Sequence, residues 1–555
     1  MSHKTSIQKT DAMTVALHWA LVGCLIFSLI TGLRIASDST DSVFAKAMSD
    51  LLLQGDVFQW HIWSAYGLIL IIAGYSLFIM RAKLTQRLAV DNARLRALKS
   101  SDSSARWKAI NILIFWFAFA LIIAITITGT ALYFFADLVP FATIAWLHQI
   151  VAWMIIAYIV IHIVTQLMQG GLKQIAKIMN PKLAYGGAAF LAISATAVAS
   201  IVVTNLDRLN IDTLAIKKTT NAPKIDGNAG DAAWQTADVI RISTNRGVNN
   251  PDGHVSVDVK MLHDGNKLYS LFRWPDSTHS QKHLPLQKTE NGWVVLQSEY
   301  GIQDEDDYYE DKFAVMFSHQ DMLAGSGATH MGPKPLAEKP GPAGGRGLHY
   351  TVDDSIVDVW HWKSVRTGSV AMNQIDDNYF GPPMEPNPKK KRYTGGYTQD
   401  PHTGGGYSMN WETFSDDGIR PKRLPKLAEQ LAPFQKVNLD PTVGDDVAFY
   451  MHVDDTIEYS EELDTYPIGT VMPSVLIKGP RLGDRGHVTA ISRWQDGWWT
   501  LEVVRDMDTG SKYDINFAST SPMYMWVAVF DHTQTRHNQH LHPVRLAMEL
   551  DKTAL

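Results

Sequence analysis

Long apolar stretches lie almost entirely within the first 205 residues of the chain. Five of them are long enough to cross about 30 Å of hydrocarbon as α-helices: 14–36, 60–80, 109–135, 144–168 and 183–204. From residue 222 onward, short runs of alternating apolar and polar residues are separated by Asp-Gly and Gly-Asn turns, which is typical of antiparallel strands. The pattern therefore predicts an α+β multidomain protein, in which a transmembrane helical bundle precedes an antiparallel β-sandwich.

The same pattern divides the chain into three segments. We expect a four-helix membrane domain at 1–182, a fifth transmembrane helix with a linker at 183–221, and an extracytoplasmic β domain at 222–555. Long Gly- and Pro-rich tracts at 324–347 and 381–406 interrupt the strands of the third segment. Loops of this length are often functional.

The charges of the loops predict the orientation of the helices. Loop 81–108 carries eight Lys or Arg against two Asp, whereas loop 37–58 carries four Asp and one Lys. Lys173, Lys177 and Lys182 follow the fourth apolar stretch with no acid nearby. Because basic loops stay in the cytoplasm, we expect a multi-pass protein of the bacterial inner membrane with a cytoplasmic N-terminus and a periplasmic C-terminal domain.

The overall composition excludes several kinds of site. The formal net charge is −6 and no stripe of Lys and Arg is interleaved with aromatics, so nucleic acid is not an expected partner. The single cysteine, Cys24, lies inside an apolar run. One cysteine cannot form a disulfide within the chain, a Cys-based zinc or iron–sulfur site, or a Cys-x-x-Cys-His haem attachment. Any haem must therefore be held without thioether bonds.

Four histidines lie inside the predicted membrane helices: His18, His61, His148 and His162. Burial of an imidazole in hydrocarbon costs several kcal/mol unless it has a partner, so such residues are usually functional. A hydrogen bond to a neighbouring carbonyl would explain any single one, but four together favour a common ligand role. His148 and His162 are 14 residues apart, which places them on one face of a helix about 21 Å apart along its axis.

The direction of each helix assigns the partners of these histidines. His18 and His162 are expected toward the cytoplasmic side, and His61 and His148 toward the periplasmic side. We therefore predict two depth-matched pairs, His18 with His162 and His61 with His148. Two imidazoles from facing helices are a standard axial ligand set for a b haem. A site for a metal ion alone is the alternative, although no carboxylate or Cys lies at matching depth.

These residues together resemble the di-haem cytochrome b subunits of bacterial nickel–iron hydrogenases and formate dehydrogenases. The resemblance covers residues 10–180 and is carried by five features: His18-Trp19, Thr31-Gly32, His61-x-Trp63, Thr128-Gly129 and the His148/His162 pair. It implies two b haems in the membrane and electron exchange with a quinone, often near the cytoplasmic haem. Asn111, at that depth in the third helix, is a candidate donor to a quinone carbonyl, and a helix-end cap is the alternative.

Segments of the β domain resemble the haem-binding domain of ethylbenzene dehydrogenase and related dimethylsulfide dehydrogenase subunits. The resemblance covers about 222–550 and is carried by these motifs: Lys224-Ile-Asp-Gly-x5-Ala-Trp234, Arg273-Trp274-x-Asp276, Asp358-Val-Trp-His-Trp-Lys363, Gly469-x3-Pro473, Arg505-x2-Asp508-Thr-Gly510 and Ala528-Val-Phe-Asp531. The opening Ile-Asp-Gly…Trp segment also resembles sugar-binding β-sandwich modules. Most of these residues also have a structural explanation, because Trp packs in cores and Asp-Gly forms turns.

The second resemblance implies a third b haem in the β domain, which relatives hold with Met and Lys or attach at a Cys-x-x-Cys-His loop. The corresponding loop here reads Ser326-Gly-Ala-Thr-His330-Met331-Gly332 and has no Cys. His330 or Met331 is therefore the expected axial ligand on one side. Lys478, His361 and His349 are the candidates for the other side.

The sequence thus predicts transmembrane electron transfer between quinone and a periplasmic redox protein or catalytic subunit. No constellation for proton transfer or nucleophilic attack stands out, so the partner is expected to carry out the substrate chemistry. Two alternatives stay open. The β domain could be a haem-free ligand- or sugar-binding module, or the chain could be a self-contained ferric or oxyanion reductase.

Overall fold

The protein divides into two compact units, Met1–Ala36 with Val57–Asn210 and Ser37–Asp56 with Ile211–Leu555. The computed structural model describes these residues: 9–36, 51–53, 56–208, 211–297, 305, 307–323, 349–351, 353–385, 394–414, 418–440 and 442–549. The first unit is helical and the second is mostly β-sheet. A helical unit followed by a mostly β unit confirms the predicted fold class. The sandwich arrangement of the β unit stays a prediction.

Five long apolar helices and one short polar helix build the helical unit. They are α1 Ala12–Ala36, α2 Val57–Arg81, α3 Asn92–Ala97, α4 Ser103–Phe134, α5 Phe141–Ala176 and α6 Gly186–Arg208. The five long helices have the length and composition of membrane spans. All five predicted spans are therefore confirmed, and in the described part of the chain they account for every candidate span.

Local chemistry explains where two of these helices depart from the apolar runs. Helix α4 begins at Ser103, before the apolar run, because the Asp102 side chain caps it by accepting a hydrogen bond from the Ser104 N–H at 2.9 Å. Helix α5 continues past residue 168, and its backbone leaves helical geometry at Gly170 and Gly171. Gly171 has a φ of 59°, which a residue with a Cβ adopts only with strain.

The helices pack in pairs. Helix α1 contacts α2, α4 contacts α5, and α6 contacts α2. The last contact is close because Gly74 on α2 lies against Thr196, where a Cβ would come within 2.5 Å of the threonine hydroxyl. Two short strands, β1 Thr10–Asp11 and β2 Pro181–Lys182, pair in parallel in the same unit.

The β unit is built around one large mixed sheet. Its strands are β3 Thr213–Lys218, β4 Val239–Thr244, β5 Val255–His263, β6 Lys267–Pro275, β9 Lys312–Ser318, β10 Val357–Lys363, β11 Asp376–Phe380, β12 Tyr397–Gln399, β21 Thr489–Gln495, β22 Trp498–Asp506, β23 Met523–Phe530 and β24 Val544–Met548. They follow the order β12-β11-β10-β9-β23-β24-β3-β5-β6-β22-β21, with β4 beside β5. Neighbours are antiparallel as predicted, except that β24–β3 and β3–β5 are parallel.

Smaller sheets are made by the remaining strands: β7 Leu286–Thr289, β8 Gly292–Val295, β13 Gly404–Met409, β14 Trp411–Thr413, β15 Ile419–Pro421, β16 Arg423–Pro425, β17 Tyr450–His452, β18 Thr456–Glu458, β19 Val471–Met472 and β20 Val475–Leu482. One buried cluster joins both halves of the large sheet and includes Val257, Trp274, Phe313 and Trp360. The tryptophans of the sequence motifs are thus mainly core residues, as expected.

One carboxylate holds the Ile-Asp-Gly…Trp segment in place. Glu502 accepts a hydrogen bond from Trp234 Nε1 at 2.7 Å through one oxygen. Its other oxygen accepts from the backbone N–H groups of Asp226, Gly227 and Asn228 at 2.8, 2.7 and 3.2 Å. Glu502 therefore holds the turn at 226–228 and the Trp234 ring against strand β22. A buried carboxylate needs such donors.

Candidate functional site

His61 at the start of α2 and His148 near the start of α5 lie beside each other at one end of the helical unit. Their ring centroids are 6.3 Å apart and their planes are inclined by 76°. Two imidazoles that share a metal ion at about 2 Å from each nitrogen have ring centres roughly 6 Å apart. The spacing of the two rings therefore fits an iron atom ligated by both, as in a b haem.

The hydrogen bonds of His61 determine which ring nitrogen is available. Its Nδ1 lies 3.1 Å from the Ser28 carbonyl oxygen and 3.0 Å from Thr31 Oγ1. The Thr31 hydroxyl donates its own proton to the Phe27 carbonyl at 2.9 Å. Because a carbonyl only accepts, Nδ1 carries the proton and Nε2 keeps its lone pair. This is the usual way in which a metal-ligating histidine is oriented.

His148 is held in the same way by helix α4. Its Nδ1 lies 2.9 Å from Thr128 Oγ1 and is hydrogen-bonded to the Ile125 carbonyl. The Thr128 hydroxyl donates to the Ala124 carbonyl at 2.9 Å. The two histidines therefore have equivalent surroundings, each oriented by a threonine and by the carbonyl three residues before it.

The glycine after each threonine gives the imidazole room. A Cβ at Gly32 would lie 3.2 Å from Cε1 of His61, and a Cβ at Gly129 would lie 3.2 Å from Cε1 of His148. Thr31-Gly32 and Thr128-Gly129 were part of the family resemblance, but the sequence did not reveal this role. The repeated Thr-Gly pair in two apolar helices was the signal that could have found it.

His18 on α1 and His162 on α5 lie at the other end of the unit. The two imidazoles are close enough to interact electrostatically. The His18 ring meets Trp19 edge-on at 5.5 Å, and the His162 ring lies 5.6 Å from Tyr158. Within the described residues neither imidazole has a hydrogen bond that would orient it. The structure thus places His61 beside His148 and His18 within electrostatic range of His162, with closer control of ring orientation at the His61/His148 end.

Asn111 lies inside α4 and belongs to a polar network with α5. Its Nδ2 donates to Gln169 Oε1 at 2.7 Å, and its Oδ1 accepts from Gln166 Nε2 at 2.8 Å. Gln166 Oε1 in turn accepts from Gln174 Nε2 at 3.2 Å. The helix-cap alternative is wrong, because Asp102 caps α4. Among the described residues, one amide hydrogen of Asn111 donates to Gln169 and the other has no acceptor.

A carboxylate that the sequence analysis did not single out anchors α6 to the bundle. Asp207 Oδ1 accepts hydrogen bonds from Tyr66 on α2 at 2.9 Å and from Tyr133 on α4 at 2.6 Å. An acidic residue in the last turn of an apolar helix was the only signal for it in the sequence. The bond satisfies a group that would otherwise be costly at the edge of a membrane.

Of the candidates in the β unit, His330 and Met331 lie outside the described residues. His349 is described, and its ring lies 5.4 Å from that of Phe380. His361 on β10 stacks on Phe530 with centroids 5.3 Å apart. Its Nε2 is buried and has no hydrogen bond within the described residues.

The charges around His361 keep it neutral. Burial, together with the cations of Lys363 and Lys312, holds the pKa of His361 well below its usual value. A neutral imidazole with a buried, unbonded nitrogen is able to ligate a metal. His361 therefore has surroundings that fit an axial ligand.

Lys478 is exposed on β20 and lies in a different environment. It lines a polar cavity of about 430 Å³, whose walls also include Glu412, Arg420, Arg423 and Glu458. His361 is not among the lining residues. Charged walls do not suit the apolar faces of a porphyrin. The structure therefore does not bring Lys478 and His361 together as a ligand pair.

Solved structures with a similar arrangement are distant from this chain. A protein from Bacteroides uniformis described as carbohydrate-binding is 9% identical over 61% of this chain and 99% of its own, with a TM-score of 0.25. A carbohydrate binding module of family 9 from Caldicellulosiruptor kristjanssonii, solved with cellotriose, is 10% identical over 61% and 97%, with a TM-score of 0.21. Both likenesses are too weak to bear on function.

No curated protein matches the chain significantly. Two family models do match, and their boundaries follow the change from helices to strands. The model for prokaryotic cytochrome b561 matches residues 9–181, and the model for ethylbenzene dehydrogenase matches residues 231–541. The chain therefore belongs to the ethylbenzene dehydrogenase family and joins a domain of that family to an N-terminal cytochrome b561 domain, which makes it a multi-pass membrane b-type cytochrome.

Proposed function

We propose that this cytochrome carries electrons across a bacterial inner membrane, between the quinone pool and a periplasmic redox protein or catalytic subunit. Two b haems in the helical unit form the path, one held by His61 and His148 and the other by His18 and His162. The observation that carries the proposal is the 6.3 Å spacing of the His61 and His148 rings, each with Nδ1 occupied by a carbonyl and Nε2 left for iron.

Each bound haem supplies a one-electron couple. The residues of the chain orient the ligands and hold the two haems at different depths. His148 and His162 lie on one face of α5, about 21 Å apart along its axis. The Thr31 and Thr128 hydroxyls and the nearby carbonyls fix the planes of His61 and His148, which tunes the ligand strength of Nε2.

Quinone exchange is proposed at the His18/His162 end. Gln166 is one helical turn beyond His162, and it bonds to Asn111. Polar hydrogen-bonding groups therefore lie within one helical turn of the proposed ligand His162, in a region that is otherwise apolar. A quinone carbonyl needs such a donor, and Asn111 keeps one amide hydrogen for it.

The charges of the loops support the proposed orientation of the chain in the membrane. The basic loop 81–108 supports a cytoplasmic N-terminus and a periplasmic β domain. We propose three functional segments: the membrane domain at 1–182, the fifth transmembrane helix with its linker at 183–221, and the β domain at 222–555. A third b haem in the β domain is supported by the buried, unbonded Nε2 of His361.

Haem counting in histidine variants tests the membrane sites. We expect His148→Ala and His162→Ala each to remove one haem from the full-length protein in detergent and to leave the other, as measured by the pyridine haemochrome. The control is His452→Ala, which changes an exposed histidine of β17. Unchanged haem content in either membrane variant contradicts the assignment.

Fusion reporters test the orientation. Alkaline phosphatase fused to the C-terminus should be active in cells, because it folds in the periplasm. A green fluorescent protein at the same position should not fluoresce. The reverse result would place the β domain in the cytoplasm and would exclude a periplasmic partner.

A further inference from the structure

Three buried carboxylates of the β unit converge at one point. They belong to Asp377 on β11, Asp400 directly after β12, and Asp514 in the loop between β22 and β23. Each places a carboxylate oxygen within 4.8 Å of the other two. Asp377 is 0% exposed, Asp400 is 2% exposed, and the side chain of Asp514 is 2% exposed.

Most oxygens of this cluster lack a hydrogen-bond donor. Within the described residues, both oxygens of Asp377, both oxygens of Asp400 and Oδ1 of Asp514 have no partner. The second oxygen of Asp514 accepts from Thr509 Oγ1 at 2.5 Å and lies 3.3 Å from His487 Nδ1. Buried polar groups in native proteins are nearly always satisfied. So many unsatisfied oxygens at one point indicate a ligand.

A second acidic cluster in the same unit shows the contrast. Asp311, Asp531 and His532 also lie within 4.8 Å of one another. Here Asp311 accepts from the N–H groups of Ser280 and His532 at 2.8 and 3.0 Å and from Trp499 Nε1 at 3.2 Å. Protein donors thus satisfy this cluster, and it does not require a cation.

The charge around the first cluster is not balanced by the protein. Asp358 on β10 adds a fourth carboxylate, and its Oδ2 accepts from Arg505 Nη1 at 2.6 Å. The same guanidinium nitrogen lies 3.9 Å from Asp514. Arg505 contacts two of these four carboxylates, so the carboxylates outnumber the arginine.

We propose that Asp377, Asp400 and Asp514 bind a divalent cation, with calcium preferred, which ties the β11–β12 segment to the loop after β22. Calcium takes oxygen ligands at about 2.3–2.6 Å and accepts bidentate carboxylates, so two opposite ligand atoms lie up to about 5 Å apart. This matches oxygens that all lie within 4.8 Å of one another. The cation also neutralises charge that Arg505 leaves uncompensated.

Terbium luminescence and melting test the site in the full-length protein. Tyr379 and Tyr513 stack with ring centroids 4.4 Å apart. In the sequence, Tyr379 is two residues after Asp377 and Tyr513 directly precedes Asp514. Terbium at the site should therefore emit on tyrosine excitation, and calcium should displace it. After treatment with EDTA, calcium at a hundredfold excess over its Kd should raise the Tm of the β unit by about 4 °C.

Two variants that replace a carboxylate with an amide of the same shape test whether the cation binds at these aspartates. Asp377→Asn and Asp400→Asn should each abolish the terbium signal and the calcium-induced rise in Tm, while the Tm in EDTA should not fall, because an amide relieves repulsion. Asp276→Asn, which alters a different buried carboxylate, should keep both responses. The proposal is overturned if neither calcium nor magnesium changes the Tm of the EDTA-treated protein, or if both cluster variants respond like the unmodified protein.

Discussion

The properties of the proposed membrane haem sites depend on the atoms next to each imidazole. A carbonyl that accepts from Nδ1 increases the electron density on Nε2 and fixes the plane of the ring. Ser28 and Ile125 supply these carbonyls through the backbone, so no side-chain pattern in the sequence could reveal them. The histidines themselves were predictable because an ionisable residue in an apolar helix is rare.

A larger residue after the threonine should disturb the adjacent haem. In Gly129→Val, atoms at 3.2 Å from His148 Cε1 would push the ring away. We expect loss of the haem on His61 and His148, or a shifted spectrum for it, with the other haem unchanged. Gly187→Val on α6 is the matched control, since nothing lies within 4 Å of its added Cβ. A normal haem content and spectrum in Gly129→Val would contradict the role given to this glycine.

A buried histidine should make the β unit sensitive to acid. Burial lowers the pKa of His540 from 6.5 to about 3, and its Nδ1 accepts from the Val527 N–H at 3.3 Å. The folded state then binds fewer protons than the unfolded state between pH 3 and 6.5, so stability falls as the pH decreases through this range. The loss should be about 2 kcal/mol between pH 7 and pH 5.

Denaturant unfolding of a variant isolates this contribution. In His540→Asn, the amide oxygen replaces Nδ1 as the acceptor but does not titrate. We expect the β unit of the variant to lose about 2 kcal/mol less than the unmodified protein between pH 7 and pH 5. Equal pH dependence of the two proteins would show that His540 is not the titrating group.

At the scale of secondary structure, the long apolar helices were predictable from the sequence, whereas features that join distant segments of the chain were not. A membrane helix is apolar on all sides, so its span is visible directly, and all five spans agree with α1, α2, α4, α5 and α6. The aspartate cluster was not predictable, because Asp377, Asp400 and Asp514 come from three separate elements that only the sheet brings together. The parallel pairs β24–β3 and β3–β5 were missed for the same reason.

The polar network between α4 and α5 should control reaction with quinol. Asn111→Leu removes a donor worth about 1 kcal/mol, so we expect quinol to reduce the haems roughly five- to tenfold more slowly. The haem content should stay the same, because Asn111 contacts Gln166 and Gln169 rather than a histidine. Asn205→Leu on α6 is the control, since among the described residues Asn205 bonds to the Ile201 carbonyl of its own helix. Equal rates in both variants would remove Asn111 from the quinone site.

At the scale of the whole molecule, the candidate functional residues of the helical unit can be found in the sequence. Those of the β unit are harder to find, because they are scattered along the chain. Four histidines mark the helical unit, where His61 lies beside His148 and His18 lies within electrostatic range of His162. The β unit has fifteen histidines in a polar sequence, so composition alone selects none of them. Within the described residues, His361 has a buried Nε2 without a hydrogen bond, whereas Lys478 lines a charged cavity.

The number of haems in the full-length protein decides what the β unit does. We expect three haems per chain, because His361 has a neutral ring and a buried Nε2 that has no hydrogen bond within the described residues. Acid–acetone should extract all three, since the chain has no Cys-x-x-Cys-His site. His361→Ala should reduce the count to two and leave the spectra of the membrane haems unchanged.

A control variant and the maximum haem content decide whether the β unit binds haem. His402→Ala, which alters an exposed histidine of the same unit, should keep all three haems. A full-length protein that never exceeds two haems, even when haem is supplied in excess, would show that the β unit is a haem-free module. Electrons would then have to leave the membrane haem on His61 and His148 directly to the periplasmic partner, and the role of the β unit would be to bind that partner.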